Sequence, residues 1–235
     1  MYNNNVILCV IPARGGSKGL PGKNTKHLLG KPLIGYTIEQ ARQSKYIDRI
    51  IVSTEDPLIA EVAKKFTAET PFIRPRELAE DNSSTLDVLV HAIRWMEERE
   101  NYRFDILVLL HVTTPLRYPE DIDNCISLLV DEKADNVFSV TEAQRNPYFN
   151  MVEISGNNEV TLVKKGVFAT RQSAPEVYDM NSSIYVWWKD TFKAEKGLFL
   201  KKTRIYTMPR ERSIDIDGPL DFRIAEMLLQ DKQLS

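Results

Sequence analysis

Short apolar runs alternate along the chain with segments in which apolar residues recur every three to four positions. The runs predict buried β-strands and the periodic segments predict amphipathic helices. The predicted strands are residues 6–11, 49–53, 106–110, 137–140 and 205–208. The predicted helices are residues 33–44, 57–66, 85–99, 119–130 and 219–230. This alternation is typical of an α/β fold built on a mainly parallel sheet.

The alternation breaks after Thr141. From there to about residue 202, turns rich in Asn, Gly and Lys separate short β-prone pieces at 151–154, 160–163 and 184–188. We interpret this stretch as a mixed insertion, or lobe, in a single domain that covers residues 1–235.

Charge and composition exclude some classes of partner. The 31 Lys and Arg residues balance 33 Asp and Glu residues, which leaves a formal net charge of -2. Sequence-independent nucleic-acid binding needs a clustered cationic surface, so no nucleic-acid partner is expected. The N-terminus has no cationic region, and its apolar run of six residues is too short to span a membrane. We therefore expect a cytoplasmic protein without a membrane partner.

A loop rich in glycine and cations, residues 12–24, follows the first predicted strand. Glycines let the backbone approach a ligand closely, and free amide groups can then bind phosphate oxygens. The loop is not a Walker A motif, because Ser17 and Asn24 stand where that motif needs Gly and Ser or Thr. The glycine spacing of a dinucleotide fingerprint is also absent. The alternatives are a phosphate cradle of another kind and a glycine-rich turn with solvated lysines.

An acidic pair, Asp215 and Asp217, lies near the end of the chain. In an extended segment, residues i and i+2 point to the same face, so the two carboxylates converge. Two carboxylates together with phosphate oxygens form a usual site for Mg²⁺. The alternative is an acidic turn that caps the last helix.

These two features belong to a larger set of six motifs that occur in order between residues 11 and 222. The motifs are residues 11–24, 50–54, 74–81, 113–117, then 171–172 with 181–185, and 213–222. This set resembles the acylneuraminate cytidylyltransferases, including their CMP-legionaminic and CMP-pseudaminic acid synthetase members. The resemblance implies a Rossmann-like sheet of the nucleotide-diphospho-sugar transferase type. It also implies transfer of CMP from CTP to the anomeric hydroxyl of an acidic nine-carbon or eight-carbon sugar, with release of pyrophosphate.

The resemblance also implies roles for individual residues. Arg14 and Lys23 would neutralise charge on the phosphoryl groups, which stabilises the transition state more than the ground state. Asp215 and Asp217 would hold Mg²⁺. The nucleotide-binding candidates are Ala13, Gly15, Ser17, Lys18, Asn24, Arg74, Asp81 and Thr85. The sugar-binding candidates are His111, Thr113, Arg171, Gln172 and Asn181.

Two departures from the family pattern lie on the sugar side. His111 replaces the usual glutamine and brings a charge expected to titrate near neutrality. Ser182 and Ser183 stand where glycine and a small residue are common. The resemblance further implies a homodimer in which residues 142–190 form the dimerisation lobe and complete the partner's sugar site. The rival functions are a sugar-1-phosphate nucleotidyltransferase and a nucleotide-binding homologue without catalytic activity.

Overall fold

The computed structural model describes residues 1–16, 19–166, 168 and 170–234. The strands are β1 Ile7–Pro12, β2 His27–Leu28, β3 Lys31–Pro32, β4 Arg49–Ser53, β5 Ile106–Leu110, β6 Asn136–Glu142, β7 Val152–Ile154, β8 Val160–Leu162, β9 Tyr178–Trp188 and β10 Thr203–Thr207. The α-helices are α1 Leu33–Gln43, α2 Pro57–Lys65, α3 Thr85–Glu98, α4 Pro119–Asp131, α5 Lys189–Glu195 and α6 Pro219–Leu234. Short 3₁₀ turns occur at Lys23–Thr25, Arg76–Leu78, Arg171–Ser173 and Arg210–Arg212.

A central sheet organises the fold. Within the described ranges it has six strands in the order β10-β6-β9-β5-β1-β4. β1 is parallel to β4 and β5, and β10 is parallel to β6, whereas β9 is antiparallel to both of its neighbours. The predicted α/β class with a mainly parallel sheet is therefore confirmed. The loops after β1, β4 and β5 meet at one edge of the sheet, where ligands bind in open α/β folds.

β1 shows why the apolar runs form interior strands. Ile7 and Ile11 pack on one face of the sheet with α1, α4 and α6, whereas Leu8 and Val10 pack on the other face with α3. A strand covered by helices on both faces needs apolar residues at every position rather than at alternate ones. The helices on each side supply the matching amphipathic faces.

The region predicted as an insertion divides into two parts. Residues 143–177 leave the central sheet and carry the β7–β8 hairpin, whereas residues 178–188 return to it as β9 between β5 and β6. The predicted piece at 184–188 is thus the end of a long interior strand, and α5 follows it without having been predicted. Apolar residues alone do not tell a strand in a small lobe from an antiparallel strand inserted into the main sheet.

None of the helices in the described ranges is both long and apolar enough to cross a membrane.

Candidate active site

The glycine loop and the acidic pair meet at the carboxyl edge of the sheet. Lys23 Nζ donates to the Ile216 carbonyl at 2.5 Å and lies 3.6 Å from Asp217 Oδ1. The Ile216 amide donates to the Thr113 carbonyl at 2.8 Å, which joins the acidic segment to the loop after β5. A side chain on Gly19 would collide with the Asp217 carbonyl oxygen. Segments far apart in the chain are therefore packed together, and glycine is required at the point of contact.

Asp215 sits in a half-buried position beside this junction. Burial raises the pKa of its carboxyl, and the nearby charge of Asp217 raises that pKa further. The hydroxyls of Thr113 and Ser182 and the ammonium of Lys23 act in the opposite direction. Asp215 Oδ1 is buried and has no hydrogen-bond partner among the residues that the structure describes. A buried acceptor left unpaired in this way is suited to a cation or to a donor on a ligand.

The donor set at this point fits Mg²⁺. The side chain of Asp217 is 84% exposed, so its carboxylate is accessible beside Asp215. Among the described residues there is no cluster of three or more His, Cys, Asp or Glu side chains able to hold a metal. Mg²⁺ is commonly bound by one or two carboxylates, with phosphate oxygens and water completing its shell. Two carboxylates without a third protein ligand match that pattern.

A cavity of about 300 Å³ opens beside the glycine loop, between the loop after β1 and the start of α3. The predicted site residues that line it are Arg14, Arg74, Asp81, Thr85 and His111. A volume of this size is at the lower end of the range for small-molecule sites. The cavity brings Arg14 of the glycine loop together with nucleotide-side candidates from residues 74–85, and it also includes His111, which was predicted to bind the sugar.

Paired charges hold the walls of this cavity. Arg14 forms an ion pair with Asp81 at 2.9 Å. The Glu55 carboxylate accepts from the Gly15 amide at 2.7 Å and from Arg74 Nη2 at 2.6 Å. Arg74 is only 3% exposed, and its Nε has no partner in the described part of the chain. The guanidinium is thus held by the protein while one N–H is left for a ligand acceptor.

A second cavity of about 420 Å³ is lined in part by Asp215. Its lining includes Arg145, Arg210 and Asn181. Neither arginine forms an ion pair or a side-chain hydrogen bond with any described residue. The two cavities therefore differ in their walls: the one beside the glycine loop has paired charges, and the one lined by Asp215 has arginines without partners among the described residues.

Comparison with known proteins identifies the family. Residues 8–235 match the family model described as Cytidylyltransferase. The chain belongs to this family and is a nucleotidyltransferase. It is 42% identical over 229 residues to the CMP-N,N'-diacetyllegionaminic acid synthase of Campylobacter jejuni, with 97% of each chain covered. It is 38% identical over 228 residues to the Post-translational flagellin modification protein B of Campylobacter coli, again with 97% of each chain covered.

Comparison with solved structures relates the fold to the same kind of enzyme. A solved CMP:2-keto-3-deoxy-manno-octonic acid synthetase complexed with CTP superposes with a TM-score of 0.72 at 18% identity, covering 97% of this chain and 99% of that one. The predicted nucleotidyltransferase type of sheet is therefore confirmed. The individual roles of the site residues stay predictions, and the structure shows where each described one lies.

The pKa of His111 differs from the expected value near neutrality. Burial lowers its pKa to about 4, and the charges of Arg117 and Lys23 act in the same direction. Its ring meets the ring of Tyr185 edge-on with centroids 5.7 Å apart. The expectation was wrong because an imidazole enclosed beside two cations is disfavoured in its charged form. In this cytidylyltransferase His111 is neutral at physiological pH.

Two predicted nucleotide-side residues shape the glycine loop from within. The Ala13 amide donates to the Ser53 carbonyl at 3.0 Å, which continues the pairing of β1 with β4. The buried Asn24 donates through Nδ2 to the Arg14 carbonyl at 2.7 Å, which closes the loop on itself. The Ala13 amide and the Asn24 side-chain amide are therefore both bonded to protein atoms, and together they position Arg14.

Asn181 is likewise occupied by protein partners. It is 4% exposed, accepts from the Ser139 hydroxyl at 2.7 Å and donates to the Ser213 hydroxyl at 2.9 Å. These bonds tie β9 and β6 to the segment that leads into Asp215. The geometry therefore gives Asn181 a supporting place at the base of the second cavity.

Of the predicted pair Arg171 and Gln172, the structure places Gln172 in a third cavity. Gln172 lines this cavity with Glu142 and Asn146, and Asp215 is not among its lining residues. The side chain of Arg171 lies outside the described residues, as do Ser17 and Lys18 entirely.

Sequence reasoning missed two residues that hold the site together. Glu55 immediately follows β4, so the rule that ligand loops follow parallel strands could have identified it. Arg117 is 1% exposed and donates to Thr114 and to the His111 carbonyl, which fixes the loop after β5. Burial lowers the pKa of Arg117 to about 9. Its motif was noted, but nothing in the sequence marked this arginine as interior.

Proposed function

We propose that this cytidylyltransferase transfers CMP from CTP to the anomeric hydroxyl of a sialic-acid-like 3-deoxy-2-ulosonic acid, with release of pyrophosphate. The observation that carries the proposal is that the glycine loop meets the acidic pair, with one cavity beside the glycine loop and another lined by Asp215. The names of the relatives agree with this, since one of them is called a CMP-N,N'-diacetyllegionaminic acid synthase.

The nucleotide binds in the cavity beside the glycine loop in this proposal. Arg74 offers its unpartnered Nε to an acceptor on the nucleotide, while Glu55 keeps the guanidinium in place. The triphosphate lies against the loop, where Arg14 and Lys23 stabilise charge on its oxygens. Lys23 is well placed for this because its side chain is only 11% exposed, and its charge is weakly screened there.

Asp215 and Asp217 hold Mg²⁺ in this proposal. When bound there, Mg²⁺ would supply neutralisation of phosphate charge and Lewis-acid activation of the α-phosphorus. The hydroxyls of Thr113 and Ser182 lower the pKa of the Asp215 carboxyl, which favours the charged form that a cation needs. The pyrophosphate leaves toward the glycine loop, where Lys23 remains to stabilise it.

The acidic sugar binds in the cavity lined by Arg145 and Arg210. An arginine without an ion-pair partner in the described chain can bind a carboxylate through two parallel hydrogen bonds. The sugar acid has such a carboxylate next to its anomeric carbon, which brings the attacking hydroxyl close to Asp215. This chemistry favours an acidic sugar over a neutral hexose phosphate.

We also propose a homodimer formed through the segment of residues 143–177. On the β7–β8 hairpin Val152, Ile154 and Val160 are each at least 60% exposed. A two-stranded hairpin is marginally stable in water on its own. A second copy that covers it would remove this apolar surface from water and bring Gln172 toward the partner's sugar cavity. A cytoplasmic location remains a prediction.

The experiment that tests the proposed function is pyrophosphate release with CTP, Mg²⁺ and a panel of sialic, legionaminic, pseudaminic and 3-deoxy-octulosonic acids. We expect turnover with at least one acid, loss of turnover on removal of Mg²⁺ with a chelator, and no turnover with a hexose 1-phosphate. Turnover of UTP with a hexose 1-phosphate would instead identify a sugar-1-phosphate nucleotidyltransferase. CTP binding without turnover of any acid would identify an inactive homologue.

A further inference from the structure

A buried ion pair joins the start of α4 to the turn that precedes the acidic pair. Arg212 donates to the Asp121 carboxylate twice, from Nη2 to Oδ1 at 2.7 Å and from Nε to Oδ2 at 3.2 Å. The side chain of Asp121 is 1% exposed and that of Arg212 is 19% exposed. Two parallel bonds between a guanidinium and a carboxylate fix the orientation of the groups as well as their distance.

Further donors hold the Asp121 carboxylate in place. The Tyr118 amide donates to Oδ2 at 2.8 Å, and the Tyr206 hydroxyl donates to Oδ1 at 3.1 Å. The Arg212 guanidinium also lies over the ring of Tyr118, 4.5 Å from its centroid. Asp121 therefore connects the end of the loop after β5, the strand β10 and the turn at Arg212. Neither oxygen can move without breaking bonds to two of these parts.

The ion pair lies next to the candidate site but outside its cavities. Arg212 ends the turn Arg210–Arg212, whose first residue lines the sugar cavity, and Asp215 follows three residues later. Neither Asp121 nor Arg212, both within the described part of the chain, lines the sugar cavity or the nucleotide cavity. Any effect of the pair on the reaction must therefore pass through other residues.

A second contact joins the same two segments. The Ile216 amide donates to the Thr113 carbonyl, at the beginning of the loop after β5, whereas Arg212 is bound beside Tyr118 at its end. The acidic segment is thus fastened to one loop at two points, and Asp215 lies between them. Loss of either contact would leave Asp215 held from one side only.

The chemistry of the Arg212 contact points to placement rather than stability. A buried ion pair adds little net stability, because removing both charges from water offsets their attraction. A planar guanidinium on a fixed carboxylate does, however, define a direction that an apolar contact would not. Such precision matters where small displacements of reacting groups change the rate strongly.

We propose that Asp121 and Arg212 are positioning residues of the candidate active site. Their ion pair sets the placement of Arg210 toward the carboxylate of the sugar acid and of Asp215 toward the α-phosphate. The inference rests on the proposed function, because that function gives Arg210 and Asp215 their roles.

The test compares Arg212→Lys and Arg212→Met with a matched control, Arg204→Lys. Lysine keeps a positive charge beside Asp121 but has no planar fork, whereas methionine leaves the buried carboxylate without its cation. Arg204 also binds an acidic residue of the α4 region, Glu132 at 2.8 Å, but at the opposite end of that helix and with both side chains about half exposed. For each protein we would measure kcat, KM for the sugar acid, KM for CTP and the melting temperature.

We expect Arg212→Lys to melt close to the wild type while its kcat falls about 10- to 100-fold, as a small displacement of reacting groups would produce. Its KM for the sugar acid should rise about tenfold, because Arg210 shifts with the turn, and its KM for CTP should stay the same. Arg212→Met should show the same kinetic pattern together with a lower melting temperature. The control should match the wild type in both KM values and in kcat.

Wild-type kcat and KM for the acid in Arg212→Lys would overturn the inference. A fall in kcat that follows the melting temperature, with both KM values unchanged, would do so too, because that result describes a loss of folded protein. An equal rise in KM for CTP and for the acid would show that the pair does not act on the acid side. If the wild type turns over none of the acids, the proposed function fails and this inference falls with it.

Discussion

The cavity proposed for the nucleotide and the cavity proposed for the sugar acid differ in how their cations are held. On the nucleotide side, Arg14 is paired with Asp81 and Arg74 with Glu55, both within the same chain. On the sugar side, Arg145 and Arg210 line the cavity without an ion-pair partner among the described residues. The cavity proposed for the nucleotide is therefore organised by ion pairs within the chain, whereas the cavity proposed for the sugar acid leaves its arginines for a substrate.

The difference predicts separate kinetic consequences for the two regions. Donors held in position need no reorganisation when charge develops on a ligand, so their supports affect binding of the nucleotide. An arginine without a partner contributes mainly when the acidic substrate neutralises it. Changes on the two sides should thus act on different substrates, and a change at Asp215 should act on the reaction itself.

The largest effect is expected from Asp215→Asn. The amide keeps the shape of the side chain but removes a charge where the acidic pair meets the glycine loop, so kcat should fall about 10²- to 10³-fold. KM for each substrate should change little, as measured by steady-state pyrophosphate release. Asp190→Asn, at a side chain that is 90% exposed, is the control. Normal turnover by Asp215→Asn would contradict a role for Asp215 at either cavity.

The next largest effect is expected from Glu55→Gln. Glu55 holds both the Gly15 amide and Arg74. Loss of its charge should raise KM for CTP about 10- to 100-fold and leave KM for the sugar acid unchanged. Glu69→Gln is a matched control, because Glu69 also pairs with an arginine, Arg49, at 2.6 Å but lies away from the cavity. An equal rise for both substrates would show that the two regions are not independent.

A smaller effect on the opposite substrate is expected from Arg210→Gln. The variant should raise KM for the sugar acid about tenfold while KM for CTP stays the same, because one charge-assisted contact to the carboxylate is lost. Arg94→Gln, an arginine with a 68% exposed side chain on α3, is the control. An unchanged KM for the acid would place the carboxylate elsewhere and remove the contrast drawn above.

The smallest effect is a pH dependence of stability due to His111. Its pKa in the folded protein is about 4, below the ordinary value of 6.5, so the unfolded chain binds a proton more readily than the folded one. This contribution to stability is present above pH 6.5 and is lost as the pH falls toward 4. His111→Gln should lose less of its melting temperature over that interval than the wild type. If the melting temperatures of the two proteins fell in parallel over this pH interval, His111 would be charged in the folded state as readily as in the unfolded chain.

The sequence was most informative where local pattern and structure coincide. The helices at Leu33–Gln43 and Thr85–Glu98 follow from one apolar face with a matching period, and the interior strand Ile106–Leu110 follows from its unbroken apolar run. The glycine loop and the acidic pair were found because their chemistry is local: closely spaced glycines and cations, and two carboxylates two residues apart. Such features need no knowledge of distant contacts.

Other features depended on contacts between distant residues. Glu55 and Arg74 have partners fixed only when β4 is placed beside β1, and the neutral state of His111 depends on burial beside Arg117 and Lys23. The sequence shows part of β9 as a β-prone piece, but the position of this strand between β5 and β6 is decided only in the assembled sheet.

The sequence by itself determined the alternation of strands and helices, the loop chemistry and the acidic pair, because these depend on residues close together in the chain. The tertiary structure decided that Lys23 meets Asp217, and that the cations of one cavity are paired while those of the other are not. The physical reason is that burial and charge pairing depend on three-dimensional neighbours, which the order of residues does not reveal directly.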